Sequence, residues 1–166
     1  PNFKAGRYYG GLRPNGALSL ARQMAMITYR NPGEFTKRFG RETRYSANER
    51  EKHFQVQGYL EYQGEKLLGR FDANTYLKLL DTLDSHDISQ GSGDFLEALG
   101  HIESRIIFVG LDTDVLYPPE EIRAIYEWCL SLDIEAHFGM LTSIHGHDGF
   151  LIEFEQLNNL LKQYIR

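Results

Sequence analysis

Apolar residues recur every three or four positions through the first half of the chain, then give way to short β-branched runs set between amphipathic stretches. The helical period predicts a helix over 17–30, with Leu20, Met24 and Ile27 on one stripe. "NPGEF" (31–35) stops it, because proline lacks a donor and restricts the residue before it. Residues 54–71 form a second helical stretch, although two internal glycines weigh against an unbroken helix. A third helix runs over 72–88, with Asp72 as N-cap and Tyr76, Leu77, Leu80 and Leu83 on one side. The polar, mixed-charge segment 37–53 reads as solvated, and no strand is expected before residue 88.

Beyond that point the pattern alternates. A short helix (94–104) precedes the strand "RIIFVG" (105–110), whose composition suits a buried strand. "PPEEIRAIYEWCLSL" (118–132) has prolines at a helix entry and acids in its first turn, where the helix dipole favours them. "EAHFGML" (135–141) is the second strand, and an amphipathic helix over 148–165 carries Phe150, Phe154, Leu157, Leu161 and Tyr164. Strand, helix, strand, helix implies parallel strands joined by right-handed crossovers, an α/β class. The expected division is a helical region at 1–88 and a β/α region at 89–166. Parallel sheets usually have several strands with both faces covered, so further strands are expected before Pro1. A chain opening on Pro1 also fits a trimmed, processed or partial product.

Composition narrows the function classes. Apolar residues are 42% and charged residues 25% of 166, a globular profile sized for one domain. The net charge of −5 argues against a nucleic-acid binder. No apolar run approaches the roughly 18 residues of a membrane span, and no signal-peptide pattern opens the chain. The single cysteine, Cys129, excludes an internal disulfide framework and fits a reducing, cytoplasmic setting.

In open α/β sheets, ligands bind beyond the carboxyl ends of the strands. Asp114 follows the first strand there, in "LDTDVLYPP", and His147 follows the second, in "TSIHGHDGF". Acid then histidine is the order of the last two members of a Ser…Asp…His triad, in which the carboxylate fixes the imidazole tautomer. Blander readings stay open: Asp114 as a turn or cap residue, Asp112 as its rival, and His147 as a loop histidine. A metal site at "HGHD" would need further ligands that the spacing of the other histidines does not supply. No G-x-S-x-G elbow occurs; "QGSGD" (90–94) has no strand before it, and Cys129 lies mid-helix.

The segments "GALSLARQMAMITYR", "FTKRFGR", "YLEYQGEKLLGRFDANTYL", "DTDVLYPP" and "GHDGFL", in that order, resemble the homoserine O-acetyltransferase family of α/β-hydrolase-fold acyltransferases. The resemblance spans nearly the whole chain. It implies the C-terminal part of an α/β-hydrolase fold plus an inserted helical lid, with the nucleophilic serine outside these residues. It further implies Asp114 and His147 as triad acid and base, and Asp148 as the acid receiving the substrate's amino group. Arg22 and Tyr29 match lid residues lining the pocket, Arg22 facing the homoserine carboxylate. Their seven-residue spacing puts them on one helix face about 10 Å apart. The implied reaction moves an acetyl group from acetyl-CoA to L-homoserine in methionine biosynthesis, with succinyl as the alternative donor and no cofactor or metal. The implied partners are acyl-CoA, homoserine, the N-terminal half and a second copy joined through the lid, with no membrane or nucleic acid. Another O-acyltransferase or esterase, or a non-catalytic subunit, are the competing readings. In either case residues 1–166 alone are expected to be inactive.

Overall fold

A computed structural model of the protein describes residues 2–45 and 52–165. They divide into two compact units, residues 1–28 with 35–86, and residues 29–34 with 87–166.

In the helical unit, α1 (Asn15–Tyr29) contributes up to Thr28, and α2 (Pro32–Phe39) contributes from Phe35. The short strands β1 (Thr43–Tyr45) and β2 (Lys52–Phe54) follow, then α3 (Gln55–Leu68) and α4 (Ala73–Asp84). The buried face of α1 is Leu18, Ser19 and Met26. The expected stripe of Leu20, Met24 and Ile27 is exposed instead, at 57%, 63% and 53%. Both stripes satisfy the helical period, and packing decides between them.

Three expectations over 31–71 are corrected. Pro32 starts a helix as well as ending one, because its fixed φ suits the first helical position and Asn31 Oδ1 accepts the Gly33 N–H at 2.6 Å. β1 and β2 pair antiparallel, with Arg44 opposite His53, where no strand was expected; residues 46–51 of that polar segment lie outside the described residues. α3 runs unbroken through Gly58 and Gly64. Gly64 is needed for close approach, since a Cβ there would stand 2.8 Å from the Ser19 carbonyl oxygen of α1. Phe35, Phe39 and Tyr59 then pack as an aromatic cluster between α2 and α3, with the Arg38 guanidinium 4.7 Å over Tyr59.

In the β/α unit, α5 (Phe95–Gly100) leads to β3 (Ile106–Leu111), α6 (Pro119–Ser131), β4 (Ala136–Leu141), a 3-10 turn (Gly146–Leu151) and α7 (Phe154–Tyr164). β3 and β4 are parallel, in register from Ile106 with Ala136 to Leu111 with Leu141. The core gathers Leu99, Cys129, Ile134 and Ala136, with Phe108 and Tyr126 packed against it. Cys129 is fully buried, and burial pushes its thiol up from the ordinary value, away from a reactive thiolate. α7 starts at Phe154 rather than 148, because the preceding residues wind into the tighter turn and end on the Ile152 and Glu153 amides bonded to the Gly149 carbonyl. Gly139 in β4 lets α7 close in, since any Cβ there would overlap Leu160.

Asp72 is the N-cap of α4, as expected. Its carboxylate accepts the Asn74 and Thr75 amides at 2.9 and 3.1 Å and the Tyr8 hydroxyl at 2.7 Å. Hydrogen bonds from the Tyr8 hydroxyl and then the Thr75 amide hold its pKa well below the ordinary 3.8. A carboxyl depressed on folding contributes stability above its unfolded value, which is lost as pH falls. Asp72→Ala should therefore lower the melting temperature at neutral pH. The gap to wild type should narrow on acidification below about pH 4; a gap that stays constant through thermal melts across this range would remove Asp72 from the acid response.

Candidate active site

The carboxyl ends of β3 and β4 are laced together before any catalytic side chain is considered. The Asp112 amide donates to the Leu141 carbonyl at 3.1 Å, which extends the ladder by one residue. Asp112 Oδ1 accepts the Ser143 amide at 3.0 Å. Thr113 Oγ1 donates to the Ser143 carbonyl at 2.5 Å and accepts the Gly146 amide at 3.2 Å. The two post-strand loops thus share one frame, and Asp112, the rival acid, is occupied in building it.

Asp114 and His147 meet within that frame. His147 Nδ1–H donates to Asp114 Oδ2 at 2.8 Å. The Asp114 side chain is only 4% exposed, so its charge needs partners to be tolerated. Its second oxygen, Oδ1, accepts the Leu116 and Tyr117 amides at 2.9 and 3.0 Å. One oxygen therefore shapes the turn after β3 while the other orients the imidazole. With Nδ1 committed as donor, Nε2 is the nitrogen left to take a proton.

Aromatic rings enclose the imidazole. Centroids of Tyr29, Tyr117 and Phe150 lie 5.7, 5.3 and 5.8 Å from that of His147. Beside the pair is a cavity of about 280 Å³, lined by Asp114, His147 and mostly apolar residues including Val109, Leu111, Ile122 and Phe150. Such a lining strengthens electrostatic interactions within it.

The remaining sequence candidates fall in different places. Asp148, next in the chain, forms an ion pair with Arg30, Oδ2 to Nη2 at 3.2 Å. Tyr29 belongs to the same unit as His147, and Arg22 to the helical unit, so their common stretch of α1 crosses the division. Arg22 lines a cavity of about 300 Å³ with Gln63, Lys66, Leu67, Arg70 and Phe71. His145 brings Nδ1 within 3.3 Å of Glu34 Oε1. Sequence reasoning missed Arg30, Glu34 and Tyr117. The i,i+4 spacing of Arg30 and Glu34 was a signal hidden by the intervening Pro32, and an Asx-type turn after Asp114 would have pointed to Tyr117. Among the described residues no cluster of three or more His, Cys, Asp or Glu could hold a metal ion. No helix among them is long and apolar enough to cross a membrane.

The chain matches no family model. It is 40% identical over 169 residues to the homoserine O-acetyltransferase of Carboxydothermus hydrogenoformans, covering 99% of this chain and 45% of that protein. The Haemophilus influenzae homoserine O-acetyltransferase is 40% identical over 162 residues, 98% of this chain and 45% of that protein. The chain thus spans under half the length of these curated relatives. Among solved structures, homoserine O-acetyltransferase from Bacillus anthracis superposes with a TM-score of 0.86 at 18% identity, over 99% of this chain and 44% of that one. Esterase E22 does so with 0.84 at 18%, over 99% and 46%. Likeness at that identity speaks to fold alone, and the fold is the C-terminal part of the α/β-hydrolase architecture. Taken with the sequence identity, this makes the chain a homologue of the homoserine O-acetyltransferases over nearly its whole length.

Proposed function

We propose that this chain carries the acid, the base and part of the acceptor site of an acyltransferase that moves an acetyl group from acetyl-CoA to the hydroxyl of L-homoserine, a step of methionine biosynthesis. The observation that carries the reading is the 2.8 Å hydrogen bond between His147 and Asp114 at the ends of adjacent parallel strands. Relatives 40% identical bear the name of that enzyme.

The mechanism is a ping-pong transfer with a serine from outside residues 1–166. His147 Nε2 takes the serine proton as the oxygen attacks the thioester carbonyl, and Asp114 stabilises the imidazolium. The C–S bond breaks and the proton passes to the CoA sulfur. The homoserine hydroxyl then gives its proton to His147 and attacks the acyl-enzyme. The new ester leaves, and the serine recovers its proton. The rings of Tyr29, Tyr117 and Phe150 around the imidazole suit the exclusion of water, which favours transfer over hydrolysis.

In this reading Arg22 binds the homoserine carboxylate, for which its planar fork is suited. Asp148 receives the ammonium group, and Tyr29 lines the site. The protein works in the cytoplasm without a cofactor, and a second copy docks on the helical lid. An apolar groove of about 300 Å³ there, lined by Leu18, Ala21, Tyr76, Leu77 and Leu80 among others, supports the lid contact. An esterase is the second reading, favoured by the equal likeness of fold to esterase E22. An esterase has no need to hold an amino-acid zwitterion, so Arg22 and Asp148 separate the two.

In the full-length enzyme, His147→Ala should lower kcat/KM for acetyl transfer by about a thousandfold or more, and Asp114→Asn by a comparable factor. Steady-state assays on variants with native melting curves check this, and a loss below about tenfold would dismiss the pair as catalytic. Arg22→Ala should raise the KM for homoserine by about tenfold or more and leave that for acetyl-CoA much less affected. Equal effects on both substrates would take Arg22 out of the acceptor site.

A further inference from the structure

Residues 29–34, from the last residue of α1 through the first turn of α2, belong to the same compact unit as the histidine loop. Gly146 brings the two backbones together. It sits at φ +63°, and a Cβ there would stand 2.8 Å from the Tyr29 carbonyl oxygen and 2.9 Å from the Asn31 nitrogen. Only glycine meets both demands at low cost.

Charged side chains fasten the same two segments. Glu34 is 8% exposed, and its carboxylate oxygens accept from Arg30 Nη1 at 3.2 and 3.3 Å. His145 Nδ1 stands 3.3 Å from Glu34 Oε1 without a hydrogen bond between them. Neutralising Glu34 needs no more than these contacts. The Arg30 guanidinium nevertheless extends its other arm, Nη2, to Asp148 Oδ2 at 3.2 Å. The planar fork fixes the angle between the two carboxylates, which a lysine ammonium would not do. Among the described residues, the buried Arg30 Nε makes no hydrogen bond, so the two Nη arms carry the contacts of the guanidinium.

We propose that Arg30 is a positioning residue: by tying Asp148, the residue after His147, to the buried Glu34, it fixes the carboxylate that meets the acceptor's ammonium group. This rests on the acceptor role proposed above for Asp148. Arg30 takes Oδ2 of that carboxylate and leaves Oδ1 to the ligand. The residue acts through Asp148 and touches no reacting atom.

The test uses the full-length enzyme and separates the two half-reactions. Exchange of labelled CoA into acetyl-CoA without acceptor reports acyl-enzyme formation, and the KM for homoserine reports the acceptor site. Arg30→Met should raise that KM about tenfold or more while the exchange rate falls by less than about threefold. Arg30→Lys, which keeps the charge but not the fork, should recover only part of the loss and leave the KM for homoserine clearly above wild type. Equal losses in both half-reactions, or no change in either, would overturn the proposal. If Arg30→Met does not fold, Arg30→Lys carries the test alone, and a KM for homoserine unchanged from wild type would overturn it. Should wild type transfer acetyl groups to no homoserine at all, the function proposed above fails instead. The clamp is then read by thermal melts of Arg30→Met, Asp148→Asn and the double variant. Additive effects would overturn it, and non-additive ones sustain it.

Discussion

The hydrogen bond from His147 to Asp114 depends on a constraint in the backbone, the in-register parallel pairing of β3 with β4. Because the two strands end level at Leu111 and Leu141, the loops that leave them start side by side. Asp112 and Thr113 then bind the second loop to the first, and only after that does the acid find the imidazole. A slip of one residue between the strands would turn the side chains at the strand ends to the opposite face. Asp114 adds its own constraint, since the carboxylate that holds His147 also closes the turn carrying Tyr117. Orientation of the imidazole and its enclosure by Tyr117 therefore have one origin.

Fold and chemistry separate clearly in this protein. An acetyltransferase and an esterase superpose on it about equally well, so the architecture leaves the reaction open. In the proposed function, a small set of charged side chains distinguishes transfer to an amino alcohol. Arg22 stands in a cavity whose lining includes Lys66 and Arg70, and Asp148 is braced by Arg30. These are the positions to which the proposed function assigns the acceptor.

Much of this was legible in the chain. The strands "RIIFVG" and "EAHFGML" announce themselves by β-branched and aromatic content, and their observed bounds differ from the expected ones by one residue. Asp114 and His147 were readable because strand ends carry sites in α/β sheets. Asp72 was readable as a cap because acid followed by a helical stripe is a local signal. The failures have a common cause. The buried stripe of α1, the continuity of α3 through Gly64 and the role of Glu34 are all decided by contacts between segments distant in sequence. Period and propensity rank local alternatives, and here tertiary packing chose among them. The β1–β2 pair escaped for a different reason: three-residue strands of mixed charge have no alternation to detect.

Cys129 sits sealed in the core of the β/α unit, and it is the chain's one sulfhydryl. Alkylating reagents and mild oxidants reach it only when the cluster of Leu99, Ile134 and Ala136 around it opens. Its labelling rate in solution is therefore a gauge of how often that packing opens, supplied by the native sequence without any engineered probe.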